Sequence, residues 1–123
     1  MSTTKKILVV DDDPYILMSL EFLMKKNGFE VMVARNGTEA LDIVEKQVPD
    51  IVLLDIMMPD VDGYAICKHI KSSKKLKEAK VVFMSVKSKE TDIRKGYDLG
   101  ASLYVTKPFS TRQLLKQVQE LIS

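Results

Sequence analysis

The segment ILVVDDD, residues 7–13, places three aspartates directly after four apolar residues. The same arrangement returns at residues 51–55 (IVLLD), 81–85 (VVFMS) and 103–107 (LYVTK). Apolar runs without polar alternation are typical of strands that are covered on both faces. If these runs are parallel strands of one sheet, the polar residues that follow them lie along one edge, where open α/β sheets bind their ligands.

Helical patterns fill the intervals between these runs. Asp13 is a suitable N-cap and Pro14 a suitable first helical residue, so the first helix is expected to begin there and to end at Asn27-Gly28. Apolar residues at helical spacing predict four further helices, at 38–46, from about 62 to 71, at 88–99 and after Ser110. One more strand is expected at 31–34 and a polar loop at 72–80.

The fold class follows from this alternation of five strands and five helices. Parallel strands need crossover helices, and right-handed crossovers place helices on both faces of the sheet. We predict an α/β fold, a doubly wound five-stranded parallel sheet of order 2-1-3-4-5 with flavodoxin-like (βα)5 topology. That order places the first strand beside the third, so Asp11, Asp12 and Asp55 would meet where the order reverses.

The composition is that of one globular domain, predicted to span residues 1–123. A net charge of +2 is too balanced to favour nucleic acid or an anionic membrane as the main partner. The polar start, MSTTKK, precedes only four apolar residues, too few for a secretory signal, and no apolar stretch approaches the ~20 residues that span a bilayer. The single Cys67 excludes an internal disulfide and fits a reducing compartment, so a cytoplasmic protein is expected.

Three carboxylates in one crevice repel one another, and a bound divalent cation relieves the repulsion. Hard oxygen ligands suit Mg²⁺, which takes only one or two carboxylates and often a phosphate. With Lys107 and Ser85 nearby, the acids form a candidate phosphoryl-transfer site in which one carboxylate becomes an aspartyl phosphate. Asp13 is interpreted as a helix cap, whereas Asp55 ends a wholly apolar strand and is the candidate nucleophile.

The chain resembles, over essentially its whole length, the receiver domain of two-component response regulators. The motifs that carry the resemblance are VVDD at 9–12, LDIMMP at 54–59, Asp62-Gly63, Ser85 and KPF at 107–109. The resemblance implies that Asp55 is the phosphoacceptor. It also implies that Asp12 and Asp55 bind Mg²⁺ (or Mn²⁺) together with the main-chain carbonyl of Met57, and that Asp11 acts through water.

The resemblance also assigns the groups that respond to the phosphoryl group. Lys107 would pair with it, the hydroxyl of Ser85 would hydrogen-bond to it, and Tyr104 would be the aromatic switch that turns inward when Ser85 moves. A cis peptide bond is expected before Pro108, since cis bonds occur at X–Pro. Val86 follows the hydroxyl where the family usually has a small residue, and it is expected to narrow access to the site.

Two further expectations concern the mobility of the fourth helix and the oligomeric state. The fourth helix has only Ile93 and Leu99 as clear apolar anchors, and weak anchoring allows movement. Ser102 and Leu103 stand where many DNA-binding regulators carry an acidic pair used in dimer contacts. The chain is therefore expected to be a monomer or a weak, phosphorylation-dependent dimer.

The implied function is that of a phosphorylation-activated switch. A sensor histidine kinase or a phosphotransfer protein would donate the phosphoryl group, and a downstream protein of unknown identity would recognise the altered surface of helix 4, strand 5 and helix 5. No catalysis is expected beyond Mg²⁺-dependent self-phosphorylation and autodephosphorylation. The chain is expected to be a stand-alone receiver, with the N-terminal receiver of a longer transcriptional regulator as the alternative.

Three other functions fit the sequence less well than the switch. A haloacid-dehalogenase-like phosphatase would need a second acid two residues after the nucleophile, where this chain has Met57. A nucleotide- or flavin-binding protein would need a glycine-rich phosphate loop, and neither common motif is present. A receiver-like adaptor that is never phosphorylated is disfavoured by the complete set of site residues.

Overall fold

A computed structural model describes residues 4–123, in which five parallel strands form one sheet of order β2-β1-β3-β4-β5. The strands are β1 Lys6–Val10, β2 Glu30–Ala34, β3 Ile51–Asp55, β4 Lys80–Ser85 and β5 Leu103–Thr106. The predicted fold class and strand order are confirmed. The first three residues of the polar start, on which the prediction of no secretory signal partly rests, lie outside the described residues.

Five helices alternate with the strands and cover both faces of the sheet. They are α1 Pro14–Lys26, α2 Gly37–Lys46, α3 Gly63–Ser72, α4 Glu90–Asp98 and α5 Thr111–Ile122. None of the helices within residues 4–123 has the length and apolar character needed to cross a membrane.

Two hydrophobic cores lie on opposite faces of the sheet, because successive residues of a strand point to opposite sides. On one face, Leu8 and Leu54 pack with buried residues of α2 and α3. On the other face, Val9 and Leu53 pack with buried residues of α1 and α5. All of β3 is buried, as its unbroken apolar run predicts.

Helices that have a capping residue begin close to where the sequence predicts. The side chain of Asp13 accepts a hydrogen bond from the Tyr15 N–H at the start of α1, which confirms the predicted cap. The fourth helix was predicted at 88–99 and is shorter, beginning at Glu90. Its N-cap, Lys89, makes no side-chain capping bond, so the sequence carries no signal for the start.

The segment predicted as a polar loop, 72–80, is anchored by apolar contacts. Leu76 and Ala79 are buried within it. The Lys71 ammonium donates hydrogen bonds to the carbonyls of Lys77 and Ala79, at 3.0 and 2.7 Å. The segment is therefore fixed to the end of α3 and leads directly into β4.

Candidate functional site

The site lies at the carboxyl ends of β1 and β3. Val10 pairs with Leu54, so the residues that follow them, Asp11 and Asp55, lie side by side at the edge of the sheet. Asp11 is fully buried and Asp55 is 4% exposed, whereas Asp12 is exposed to solvent. Carboxylate oxygens of these three acids lie within 4.8 Å of one another, so the structure brings together the cluster that the strand order predicts.

Lys107, which follows β5, supplies positive charge to this cluster. Its ammonium lies 2.8 Å from an oxygen of Asp11 and 3.6 Å from an oxygen of Asp55. The Lys107 N–H donates to the Ser85 carbonyl at 2.7 Å, which positions the amine beside the ends of the central strands. The expected cis bond between Lys107 and Pro108 is present.

The electrostatics of the site disfavour an ionised Asp55. Burial and the neighbouring charge of Asp11 raise the pKa of Asp55 to about 6, and the opposing effect of Lys107 does not restore the ordinary value of 3.8. Burial disfavours the charged amine of Lys107, but the hydrogen bonds and charges of Asp11 and Asp55 together outweigh it and raise the pKa of Lys107. The cluster therefore carries negative charge that a single amine does not balance.

The main chain around Asp55 is closely packed. The Gly63 N–H donates to the Ile56 carbonyl at 2.9 Å, which brings the start of α3 against the end of β3. A Cβ at Gly63 would collide with the Asp55 carbonyl oxygen and lie 2.8 Å from the Ile56 Cα. Only glycine allows this approach, so the loop that follows Asp55 is held in one position.

Ser85 and Tyr104 lie between the site and α4. Ser85 is fully buried, and its hydroxyl accepts from the Lys87 N–H at 3.1 Å. Tyr104 is 9% exposed, and its hydroxyl donates to the Lys87 carbonyl at 2.8 Å. The Tyr104 ring is buried against Gly96, where an added Cβ would approach it to 2.9 Å, and its turning inward when Ser85 moves stays a prediction.

Val86, which was expected to narrow access to the site, is largely exposed, and its effect on access stays a prediction. Its side chain is 63% exposed and faces a groove of about 480 Å³ between α1 and the segment that follows β5. Phe109 lines the same groove.

Two features of the site region are absent from the expectations drawn from the sequence. The first is Asp60, which accepts hydrogen bonds from the N–H groups of Gly37 and Thr38, at 3.0 and 2.8 Å, and from the Thr38 hydroxyl at 2.6 Å. These bonds hold the pKa of Asp60 far below its usual range, and they fasten the loop after β3 to the start of α2. The contact joins residues more than 20 positions apart, and no local pattern signals it.

The second missed feature is a row of exposed apolar side chains on α1. Tyr15, Met18 and Phe22 are 76%, 62% and 68% exposed. Their spacing places them on one face of the helix, away from the buried Leu17 and Leu20. The sequence does contain a signal for this row. Eight of the thirteen residues of α1 are large apolar or aromatic residues, which is more than one buried face of a helix requires.

Comparison with known proteins decides the family. The sequence model of the response regulator receiver domain matches residues 7–119. The chain belongs to this family. It is the receiver domain of a two-component response regulator, and this family consists of signalling domains rather than enzymes in the usual sense.

Solved receiver structures superpose closely on this receiver domain. The BeF3-activated receiver domain of DrrB is 34% identical, with a TM-score of 0.89 over 98% of each chain. The chemotaxis response regulator CheY4 of Vibrio cholerae is 28% identical, with a TM-score of 0.90 over 96% of this chain and 98% of that one. The response regulator DrrB of Thermotoga maritima, an OmpR/PhoB homolog, is 34% identical with a TM-score of 0.88, over 98% of this chain but 53% of that one.

The receiver family typically binds Mg²⁺, and the donor set of this chain fits that ion. Three carboxylates present hard oxygen atoms within one small volume, and such atoms are the ligands that Mg²⁺ prefers. Burial and the charge of Asp11 raise the pKa of Asp55, so its ionised form needs more positive charge nearby than Lys107 supplies, which a divalent cation would provide. Met57 and Asp12 both line a cleft of about 590 Å³ beside the acids.

Proposed function

We propose that this receiver domain is a switch that accepts a phosphoryl group on Asp55 from a phosphohistidine of a sensor histidine kinase or phosphotransfer protein. The observation that carries the proposal is the placement of a buried carboxylate, Asp55, beside two further acids and the amine of Lys107. A carboxylate oxygen of Asp55 would attack phosphorus, and the bond from phosphorus to the imidazole nitrogen would break. The imidazole keeps the electron pair of that bond and takes up a proton from solvent.

The residues around Asp55 have distinct roles in this proposal. Lys107 lies 3.6 Å from Asp55 and would stay beside the transferred group, whose charge it offsets. Ser85, buried at the end of the neighbouring strand, would donate a hydrogen bond from its hydroxyl to a phosphoryl oxygen. Asp12, Asp55 and the main-chain carbonyl of Met57 would hold Mg²⁺ (or Mn²⁺), with Asp11 acting through water. The ion, when bound, neutralises charge on the transferred group.

The exposed face of α1 supports a protein as the phosphoryl donor. Tyr15, Met18 and Phe22 form an apolar row that continues into the groove beside Val86 and Lys107. Contiguous exposed apolar residues with a polar rim are typical of protein interfaces. A partner that covers this row would bring its phosphohistidine to the edge of the sheet where Asp55 lies.

The proposed output is a change in the surface formed by α4, β5 and α5, which a downstream protein recognises. A hydrogen bond to a charged group is worth about 1.5–3 kcal/mol, so one such bond made only in the phosphorylated state shifts a two-state equilibrium roughly 10- to 100-fold. The receiver would act as a monomer or a weak, phosphorylation-dependent dimer. A cytoplasmic location belongs to the same proposal, because the free Cys67 fits a reducing compartment.

The receiver acts alone in this proposal, and membership of a longer regulator is the second candidate. The match to the Thermotoga maritima regulator, of which this chain covers 53%, favours that second candidate. The sequence of the complete open reading frame distinguishes the two.

The phosphoacceptor is tested by incubating the protein with acetyl phosphate and Mg²⁺ and measuring the intact mass. We expect a gain of one phosphoryl group, and no gain when excess EDTA is added beforehand. Asp55→Asn should show no gain, and Asp42→Asn, which alters an exposed acid on α2, should behave as the unchanged protein. No gain in the unchanged protein, or an equal gain in Asp55→Asn, contradicts the proposal.

The protein donor is tested separately. With a histidine kinase that phosphorylates the unchanged receiver, Phe22→Ser should slow the transfer, while its reaction with acetyl phosphate keeps the same rate. An unchanged transfer rate from the kinase would exclude the α1 row as the docking face.

A further inference from the structure

Helix α4 buries few side chains against the rest of the receiver, and hydrogen bonds add to its attachment. Of the nine residues in this helix, only Gly96 is buried, and Ile93 packs only partly against the core. The Tyr64 hydroxyl donates to the Asp92 carbonyl, in the first turn of α4, at 3.0 Å. Near the other end of the helix, the Tyr97 hydroxyl accepts from the Tyr104 N–H of β5 at 3.1 Å. Two phenol groups thus supply hydrogen bonds that fix the position of a weakly packed helix.

Tyr64 differs from Tyr97 because its main chain belongs to the region around Asp55. It follows Gly63 directly, and Gly63 lies so close to the Asp55 carbonyl that a Cβ would collide with it. A displacement of the Asp55–Ile56 peptide therefore moves the start of α3, and Tyr64 with it. Tyr64 is the second residue of that helix, so little chain lies between it and the site.

The side chain of Tyr64 is held firmly along its length. It is 8% exposed, and its ring packs edge-on against Phe83 with 5.5 Å between ring centroids. Phe83 in turn packs against Tyr104 at 6.0 Å, and the Lys95 ammonium lies 4.4 Å from the centre of the Tyr64 ring. A ring with contacts on several sides transmits a displacement of its backbone to its hydroxyl.

We propose that Tyr64 is a positioning residue that links the main chain of Asp55 to the first turn of α4. A change at Asp55 would then reach α4 by a second route, in addition to the one through Ser85 and Tyr104. The bond from the Tyr64 hydroxyl to the Asp92 carbonyl is the last step of this route. The proposal rests on the proposed phosphorylation of Asp55.

Hydrogen–deuterium exchange measured by mass spectrometry tests this coupling. Peptides that cover α4 are followed with and without beryllium fluoride and Mg²⁺, in the unchanged protein and in Tyr64→Phe, which removes only the hydroxyl. Without beryllium fluoride, Tyr64→Phe should raise exchange in the first turn of α4 about 3- to 10-fold, which is the effect of one lost hydrogen bond. The change that beryllium fluoride causes in α4 should shrink by a similar factor.

Two control variants separate coupling from a general loosening of α4. Tyr97→Phe also removes a phenol hydrogen bond from α4, but it leaves the contact to the Asp55 region, so α4 should exchange faster and still respond to beryllium fluoride. Asp42→Asn, which changes an exposed acid on α2, should match the unchanged protein. A response in Tyr64→Phe as large as that of the unchanged protein overturns the coupling.

Mass measurement after acetyl phosphate treatment distinguishes the failure of this proposal from the failure of phosphorylation itself. If the unchanged protein gains no phosphoryl group, the proposed function fails and the coupling fails with it. If the mass increases but exchange in α4 is the same with and without beryllium fluoride, Asp55 remains the phosphoacceptor, and the coupling fails together with the proposed change in the α4 surface.

Discussion

Replacement of Asp55 by asparagine should stabilise the metal-free receiver at neutral pH. Asp55 is nearly buried, and its pKa rises from 3.8 to about 6 in the folded protein. Ionised Asp55 is therefore less favourable in the folded chain than in the unfolded chain. The asparagine side chain would have a similar shape and no charge, and Lys107 would keep its 2.8 Å contact with Asp11.

The size and the sign of the effect follow from linkage between proton binding and folding. The folded state binds the proton of Asp55 more tightly, so the contribution of this group to stability is fully present below pH 3.8 and is lost as the pH rises through about 6. At about 1.36 kcal/mol for each pKa unit, the loss amounts to about 3 kcal/mol. About 2 kcal/mol of it should develop between about pH 4.5 and pH 7.5.

Urea unfolding in the presence of EDTA measures this difference. The free energy of unfolding is determined at several pH values for the unchanged protein and for Asp55→Asn. The variant should be more stable by up to about 3 kcal/mol at about pH 7.5, and the difference should narrow toward about pH 4.5. Asp42→Asn makes the same carboxylate-to-amide replacement at an exposed acid, so its stability should equal that of the unchanged protein at every pH.

Two results would refute the reasoning about Asp55. If the stability curves of the unchanged protein and Asp55→Asn run parallel from about pH 4.5 to about pH 7.5, Asp55 does not titrate in that range. If Asp55→Asn is less stable than the unchanged protein at the upper end of this range, the ionised carboxylate of Asp55 stabilises the fold. The conclusion that Lys107 does not offset the negative charge of the acids is then wrong.

Further predictions concern the groups around Asp55. Lys107→Met leaves two buried acids without their amine and should lower the free energy of unfolding by about 3 kcal/mol at neutral pH in urea titrations; an unchanged value contradicts the ion pair. Gly63→Ala should lower the free energy of unfolding by about 3 kcal/mol, because the new Cβ meets main-chain atoms. Gly28→Ala, at a residue with φ of +92° and no close neighbour, should lower it by only about 1 kcal/mol. Equal losses of stability in the two variants argue against the close approach at Gly63. Mg²⁺ at about a hundred times its dissociation constant should stabilise the unchanged protein by about 2.7 kcal/mol, and clearly less in Asp55→Asn. Asp60→Asn should lower the thermal midpoint by weakening the start of α2, and an unaltered midpoint would show that its three hydrogen bonds are dispensable.

The sequence predicted the fold because its local signals agree with one another. Each buried strand is a short apolar run, and Asp13 and Ser110 mark helix starts where their side chains do accept capping hydrogen bonds. The start of α4 was misplaced because Lys89 provides no cap and the helix buries almost nothing. Periodicity and capping, the two signals on which helix prediction depends, are both weak there.

The site was predicted less completely, since some of its features depend on tertiary packing. Strand order alone brings Asp11 and Asp55 together, and the structure agrees. The buried orientation of Tyr104 could not be predicted, because it depends on the space that Gly96 leaves in a different element. The contact of Asp60 with α2 likewise requires two loops to meet at the edge of the sheet.

The hydrogen bonds of the three acids support the proposal that Asp55 is the nucleophile. Both oxygens of Asp11 are engaged, one by the Asp13 N–H at 2.9 Å and the other by the Lys107 ammonium at 2.8 Å. Asp12 is exposed, so water competes for its oxygens and stabilises its charge. Asp55 is buried like Asp11, but its contact with Lys107 is longer, at 3.6 Å. Asp55 is therefore the buried acid whose negative charge is least offset by neighbouring groups. A bond from one of its oxygens to phosphorus would remove the negative charge from that oxygen.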